Sequence, residues 1–290
     1  MLAARPCQPS LEPIILAQAR TTLAFLILAP LLLWFKGRAP LQLPRREVLA
    51  CAIMGVLGLA GANYFYYYAI QQVGVATAII VQYTAPAWVL IFMIATGRQH
   101  SSISRIAGVS LAMCGSALAI GVLVLSTSAP FIQLVGVQFR SLGVLAALGA
   151  SFSFATYNIL SSGLVAKHDR WTVFLYALLG CAIFWLFFNP PWRWQHYTGP
   201  QWLFLIVFAV ISMLLPNPLY FAGLQRLDPT RAIVISCLEP VFAILLTAYL
   251  VKENPTTLQM VGMTVVLAGT VVIQLPDRSR GESFSVEHIE

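Results

Sequence analysis

Nine mostly apolar stretches follow one another along this chain, and each is long enough to cross a bilayer as a helix of about 20 residues. They cover roughly residues 12–35, 47–70, 74–96, 103–125, 139–166, 171–188, 201–225, 230–250 and 256–275. The stretches are continuously apolar rather than alternating, which indicates helices and not the strands of a barrel. Only 9% of the 290 residues are charged, whereas a soluble domain typically has about 25%. The sequence therefore predicts an all-α transmembrane protein with nine spans.

The basic residues lie mainly between the spans, and their distribution predicts the orientation. Twelve Lys and Arg fall in one set of alternate loops and in the tail, four fall on the opposite side, and Arg20 lies inside a span. The side with more Lys and Arg is normally cytoplasmic, so we expect a cytoplasmic C-terminus and an outward N-terminus. The basic residues form no continuous stripe, and we expect no nucleic-acid partner.

The chain also repeats itself at an offset of 154 residues. The offset pairs Asn63 with Asn217 and Pro86 with Pro240, and it also pairs glycines and most spans. The span at 139–166 has no counterpart, because the offset places it before residue 1. A repeat unit with an odd number of spans inverts its partner in the membrane. We therefore expect two inverted helical repeats, in which a ten-helix protein lacks its first helix.

These boundaries divide the chain into four parts. Residues 1–125 form the first repeat with four spans, 126–138 an inter-repeat loop, 139–275 the second repeat with five spans, and 276–290 a cytoplasmic tail. A start assigned too late or a truncated gene would account for the helix that we expect upstream.

Glu239 interrupts the apolar stretch VISCLEPVFAILL and lies about nine residues into its span, or roughly 14 Å at the helical rise. A charged side chain near the bilayer midplane is costly and normally faces a cavity or a partner. One interpretation is that Glu239 carries the coupling proton. The other is that a hydrogen-bonded Glu239 ties helices together.

Other polar residues inside the spans are candidates for substrate binding. Arg20 can bind a carboxylate bidentately, but it can also extend to the interface or pair with a carbonyl. The candidates for the lining of a cavity are Arg20, Asn63, Tyr66, Gln82, Tyr83, Tyr157, Asn158, Asn217 and Tyr220. The candidate hinges are Pro86, Pro216, Pro218 and Pro240, because proline interrupts helical hydrogen bonding. No enzyme motif is present, and we expect no enzymatic activity, no metal and no cofactor.

The second half, LYFAGLQRLDPTRAIVISCLEPVFAILLTAYLVKENPTTLQMVGMTVVLAGTVVI, resembles the EamA-type repeat of the drug/metabolite transporter superfamily. The shared features are the hinge before the Glu-Pro helix, the LEP and KE motifs, and the glycine-containing last span. The first half is similar from Arg20 onward, through YYYAIQQVGVATAIIVQYTAPAW. The resemblance implies ten helices in two inverted five-helix repeats. It also implies a central cavity walled by the spans at 47–70, 74–96, 139–166, 201–225 and 230–250, to which the absent first helix would contribute.

Members of that family move small metabolites, often amino acids, outward across the bacterial inner membrane. The resemblance therefore implies a secondary active exporter of a small metabolite, amino-acid-like or drug-like, that works by alternating access, with the lipid bilayer and this small molecule as partners. Proton coupling through Glu239 is our hypothesis for its mechanism. The alternatives are an uncoupled facilitator or exchanger of the same superfamily, and a truncated fragment without function.

Overall fold

The structure is a computed structural model, and it describes residues 13–37, 41–120, 123–125, 132–134, 141–188, 198–252 and 254–275. In chain order its helices are α1 (Pro13–Lys36), α2 (Arg45–Ile53), α3 (Gly61–Gln82), α4 (Ala85–Ala95), α5 (Ile103–Ala119), α6 (Ser141–Val165), α7 (Arg170–Phe188), α8 (Gly199–Ala209), α9 (Pro216–Leu224), α10 (Pro229–Ser236), α11 (Glu239–Leu250) and α12 (Thr257–Val272). Two π-helical segments, Met54–Ala60 and Val210–Leu214, connect α2 to α3 and α8 to α9.

The described helices confirm a helical membrane fold. Seven helical segments are long and apolar enough to cross a membrane: Ile14–Lys36, Arg45–Val75, Thr77–Ala95, Ser141–Val165, Arg170–Phe188, Gly199–Leu224 and Pro229–Leu250. Two shorter apolar helices, Ile103–Ala119 and Thr257–Val272, complete the nine predicted stretches. Large apolar side chains such as Phe187 and Leu203 are exposed, as expected for a surface in contact with lipid acyl chains.

One predicted helix boundary is wrong. The sequence predicts helix to residue 125, but α5 ends at Ala119. Residues Leu123–Leu125 form β1, which pairs antiparallel with β2 (Ile132–Leu134) in a short two-stranded sheet. In the sequence Gly121 comes two residues after Ala119, and glycine disfavours a helix interior by about 1 kcal/mol. Hydropathy could not locate this end, because the strand is as apolar as the helix.

The helix boundaries recur at the 154-residue offset. α4 and α11 begin at residues 85 and 239, α5 and α12 begin at 103 and 257, and α2 and α8 begin at 45 and 199. The two π-helical segments end at residues 60 and 214, which are also 154 apart. α6 has no counterpart among the described helices. The repeat therefore extends to local backbone geometry.

Glycines on α5 and α12 show that the two repeats are inverted. A Cβ atom on Gly108 would lie 3.1 Å from the carbonyl oxygen of Gly269, and one on Gly115 would lie 3.0 Å from that of Gly262. The early glycine of each helix thus faces the late glycine of the other, so the helices pack antiparallel. A shift of 154 residues converts the contact between Gly108 and Gly269 into the contact between Gly262 and Gly115. This is the property of a two-fold axis that is perpendicular to both helices. A two-fold axis of this kind relates two inverted repeats.

α6 packs lengthwise against the first π-helical segment and α3. Cβ atoms on Gly58 and Gly61 would lie 2.8 Å from the Tyr157 Cβ and 2.9 Å from the Ser153 Oγ. Only glycine permits backbones to approach this closely. This packing brings the polar centre of α6 to the middle of the molecule.

Candidate functional site

Two spans are interrupted at equivalent positions, and both interruptions lie at the centre of the protein. α3 ends at Gln82 and α4 starts at Ala85, while α10 ends at Ser236 and α11 starts at Glu239. Pro86 and Pro240 follow the interruptions, since a proline removes a backbone donor and crowds the preceding turn. Both therefore lie where a hinge is geometrically possible, and hinge motion at these prolines stays a prediction.

The π-helical segments precede two amide side chains, of which Asn63 is buried and Asn217 is half-buried. Asn63 Nδ2 donates to the Leu59 carbonyl at 2.6 Å, and Asn217 Nδ2 donates to the Met213 carbonyl at 3.1 Å. α9 begins with Pro216, and Pro218 follows in its first turn. The first π-helical segment contains no proline, so proline is not what the two segments share.

The helices enclose a cavity of about 500 Å³, which is within the usual range for small-molecule sites. Nine of the residues singled out from the sequence line it: Arg20, Asn63, Tyr66, Gln82, Tyr83, Tyr157, Asn217, Tyr220 and Glu239. The candidate hinges Pro86 and Pro216 also line this cavity. Asn158 does not. Its side chain is fully buried behind the wall and donates a hydrogen bond from Nδ2 to the Tyr220 hydroxyl.

Three polar residues of the lining, Tyr67, Ser212 and Ser236, are not among the candidates for substrate binding given above. The signal for Tyr67 was helical spacing: residues 59, 62, 63, 66 and 67 form one face of a helix, and all five line the cavity. Ser212 is the counterpart of Gly58 at the 154-residue offset, and both line the cavity.

Tyr157 and Asn158 attach α6 to α9 on one side of the cavity. The Tyr157 hydroxyl donates to Asn217 Oδ1 at 2.8 Å, and the neighbouring Asn158 donates to Tyr220. Both acceptors lie on α9, one helical turn apart. The two bonds fix the orientation of Asn217 and Tyr220 toward the cavity.

Two opposite charges line the same cavity without pairing to each other. The Arg20 guanidinium donates to Asn63 Oδ1, and its buried Nε has no hydrogen-bond partner among the described residues. Glu239 Oε2 accepts a long hydrogen bond of 3.4 Å from the Tyr83 hydroxyl. Tyr66 lines the same cavity as both charges. The site can therefore receive a ligand that carries both signs.

A helical membrane protein with inverted repeats, interrupted spans and a polar cavity at the repeat interface has the architecture of a secondary transporter. The chain belongs to the EamA-like transporter family, which it matches over residues 1–137 and 141–275. The resemblance found in the LEP and KE motifs is thereby confirmed.

Three relatives and a solved structure, among the matches found, are similar to this chain over most of their length. An uncharacterized transporter of Archaeoglobus fulgidus is 26% identical over 254 residues, which cover 87% of this chain and 83% of the relative. The uncharacterized inner membrane transporter YicL of Salmonella typhimurium is 21% identical over 82% of this chain and 77% of its own. The threonine/homoserine exporter RhtA of Salmonella typhimurium is 27% identical over 90% of this chain and 83% of its own. A crystallised protein, 20% identical, has the same fold with a TM-score of 0.69 over 94% of this chain and 91% of its own.

Proposed function

We propose that this protein is a secondary active exporter of a zwitterionic small metabolite, an amino acid or a close analogue. The observation that carries the proposal is the placement of Arg20 and Glu239 on the wall of one cavity without an ion pair between them. An unneutralised charge at this depth is costly. A ligand with both an ammonium and a carboxylate group would neutralise both.

The two charged groups have distinct roles in this proposal. The Arg20 guanidinium presents parallel N–H donors, which match the two oxygens of a carboxylate. Asn63 accepts one N–H of Arg20 and holds the guanidinium toward the cavity. Glu239 accepts the substrate ammonium group, and Tyr66, Asn217 and Tyr220 provide polar contacts for the remainder of the molecule.

Proton coupling would follow from the position of Glu239. When the ammonium group leaves, a proton can take its place on the carboxylate and so neutralise the site for the return step. The equivalent residue in the first repeat is Ala85, which also lines the cavity but cannot titrate. One carboxylate in the second repeat would thus carry the coupling.

The two inverted repeats would rock about the cavity and expose it to each side in turn. We place the moving units at residues 1–125 and 139–275, with 126–138 between them and 276–290 as the tail. Lys and Arg counts support a cytoplasmic C-terminus in a bacterial inner membrane. Two relatives, named as an inner membrane transporter and a threonine/homoserine exporter, are consistent with this location and with an amino-acid substrate.

Counterflow of labelled amino acids, with threonine as the first probe, tests this proposal in liposomes that contain the full chain. The free amino acid, its carboxamide and its N-acetyl derivative are compared as competitors. We expect the carboxamide to compete at least about tenfold less well, because it cannot form the charged bidentate pair with Arg20. This difference should disappear in Arg20→Gln.

The matched control is Arg98→Gln, which removes the same charge from an exposed site where Arg98 lies over the Phe92 ring. It should leave the carboxamide difference intact. Equal competition by amino acid and carboxamide in the unaltered protein would contradict the role of Arg20. An absence of counterflow for every amino acid would contradict the substrate class. If counterflow occurs but a pH gradient drives no accumulation of the amino acid, the protein is instead an uncoupled facilitator or exchanger.

A further inference from the structure

A second cavity of about 290 Å³ adjoins the first. Its walls come from the end of α5, from α11 and from the start of α12, and they include Ala119, Ile120, Ala243, Thr247, Asn254 and Gln259. Three residues line both cavities: Ile79, Tyr83 and Glu239. These three side chains therefore form the partition between the two spaces.

The polar part of this partition is a single weak contact. The Tyr83 hydroxyl donates to Glu239 Oε2 at 3.4 Å, which is longer than the usual 2.5 to 3.0 Å of an O–H···O bond. Breaking such a contact costs little free energy. Opening it would join the two cavities, with Ile79 as the remaining apolar part of the wall.

The two residues of this contact come from opposite repeats. Tyr83 lies in the interruption between α3 and α4, and Glu239 starts α11 directly after the equivalent interruption. A movement of one repeat against the other would change the distance between them. The contact is therefore placed to respond to the rocking of the repeats.

The lining of the second cavity extends from the partition toward one end of the helix bundle. Ala119 and Ile120 end α5, Thr247 lies in the last turn of α11, and Asn254 precedes α12. At the other end of these spans, the Thr230 hydroxyl donates to Gln99 Oε1 at 2.8 Å, and both side chains are buried. That bond joins the start of α10 to the loop after α4, so the described packing is tight at that end.

We propose that the second cavity is the exit path from the central cavity, and that Tyr83 is its gate. The path carries the zwitterionic substrate of the proposed function. With the C-terminus in the cytoplasm, as proposed above, the second cavity lies on the outer side of the central cavity. Thr247, Asn254 and Gln259 give it a polar lining. Opening of the partition would lead outward, while the bond between Gln99 and Thr230 closes the cytoplasmic end.

Thiol accessibility tests the path without any substrate. Ala62 lines the central cavity but not the second, so Ala62→Cys reports on entry into the central cavity. Cys114, which is exposed, Cys7, and Cys237, which lines the central cavity, are replaced by alanine beforehand. A charged, membrane-impermeant methanethiosulfonate is applied to intact cells and, separately, to inverted membrane vesicles.

We expect labelling from intact cells, and we expect Ala243→Trp to slow it about tenfold by filling the second cavity. Leu246→Trp is the matched control, since Leu246 is exposed on the same helix and lines neither cavity. Tyr83→Phe should accelerate labelling roughly fivefold, because it removes the hydroxyl that closes the partition. Tyr249→Phe, at an exposed position of α11, should leave the rate unchanged.

Labelling that Ala243→Trp does not slow, or that occurs only in inverted vesicles, would overturn the exit path. A rate unaffected by Tyr83→Phe would overturn the gate. Size-exclusion profiles of each variant show that it is folded before the rates are compared. Because labelling requires no transport, the path can be confirmed even if amino-acid counterflow fails, and the two proposals fail separately.

Discussion

Asn63 and Asn217 make the same local hydrogen bond in the two repeats but have different partners across the helix interface. Each donates from Nδ2 to the carbonyl four residues earlier, at the end of a π-helical segment. Asn63 Oδ1 accepts from Arg20, and Asn217 Oδ1 accepts from Tyr157. The repeat thus supplies two equivalent amides. The partner of Asn63 is the cationic Arg20, whereas the partner of Asn217 is the neutral Tyr157 hydroxyl.

Asn63→Asp should weaken transport of carboxylate substrates. A carboxylate at this position would form an ion pair with Arg20 and occupy the donors that the substrate requires. We expect the half-saturating amino-acid concentration in counterflow to rise about tenfold or more. Asn217→Asp is the matched control, because its partner is the Tyr157 hydroxyl and not an arginine. A similar loss in both variants would show that the effect is not specific to Arg20.

Glu239→Gln should separate coupling from exchange. The amide cannot release a proton, so accumulation driven by a pH gradient should fall to the level of empty liposomes. Counterflow without a gradient should persist, although more weakly, because the amide still offers an acceptor to the ammonium group. Gln82→Glu at the opposite wall of the cavity tests whether any carboxylate there suffices. Gradient-driven accumulation by Glu239→Gln would refute proton coupling through this residue.

Gly262→Ala should destabilise the protein, whereas Gly223→Ala should not. A Cβ atom on Gly262 would lie 2.3 Å from the Ala119 backbone nitrogen, and backbone cannot move aside as a side chain does. Overpacking of this kind costs about 1–3 kcal/mol. Gly223 on α9 has no heavy atom within 4 Å of the added carbon, so alanine there should stabilise the helix by about 0.5–1 kcal/mol.

Thermal unfolding in detergent measures both glycine variants. We expect the midpoint to decrease for Gly262→Ala and to stay or increase for Gly223→Ala. An unchanged midpoint for Gly262→Ala would mean that α5 and α12 pack less closely than described.

Asp169→Asn should lower the stability at neutral pH but not at strongly acidic pH. Partial burial raises the pKa of Asp169, but hydrogen bonds from Lys36 and Thr172 outweigh it and hold the pKa below its ordinary value of 3.8. Lys36 Nζ lies 2.7 Å from Asp169 Oδ2 in an ion pair between α1 and the start of α7. A lowered pKa in the folded state means that the stabilisation is complete above the unfolded value and disappears as pH falls through the folded one.

The unfolding midpoint of the two proteins is therefore compared from pH 7 downward. We expect a lower midpoint for Asp169→Asn at pH 7 and a difference that shrinks below about pH 4. Because both partners are partly exposed, the difference should also decrease at high salt. A difference that does not change with pH would contradict this origin, because the ion pair with Lys36 and the hydrogen bonds from Thr172 both favour the ionised carboxylate.

Much of the architecture was predictable because it depends on local composition. Continuous apolar stretches specify spanning helices, since lipid leaves backbone groups no other partners. The pairing of Pro86 with Pro240 located two helix interruptions. The end of α5 at Ala119 was not predictable from hydropathy, and neither were the π-helical segments, because these depend on how closely other helices approach.

The sequence alone also determined which polar residues are inside the membrane, including Arg20 and Glu239, because few charges occur in these stretches. Tertiary structure decided which of them share one cavity. It placed Asn158 behind the wall although its neighbour Tyr157 lines the cavity. It also brought Tyr83 and Glu239, 156 residues apart, to one partition. Spacing along a helix fixes the face on which a side chain lies, but only the packing of several helices decides what that face meets.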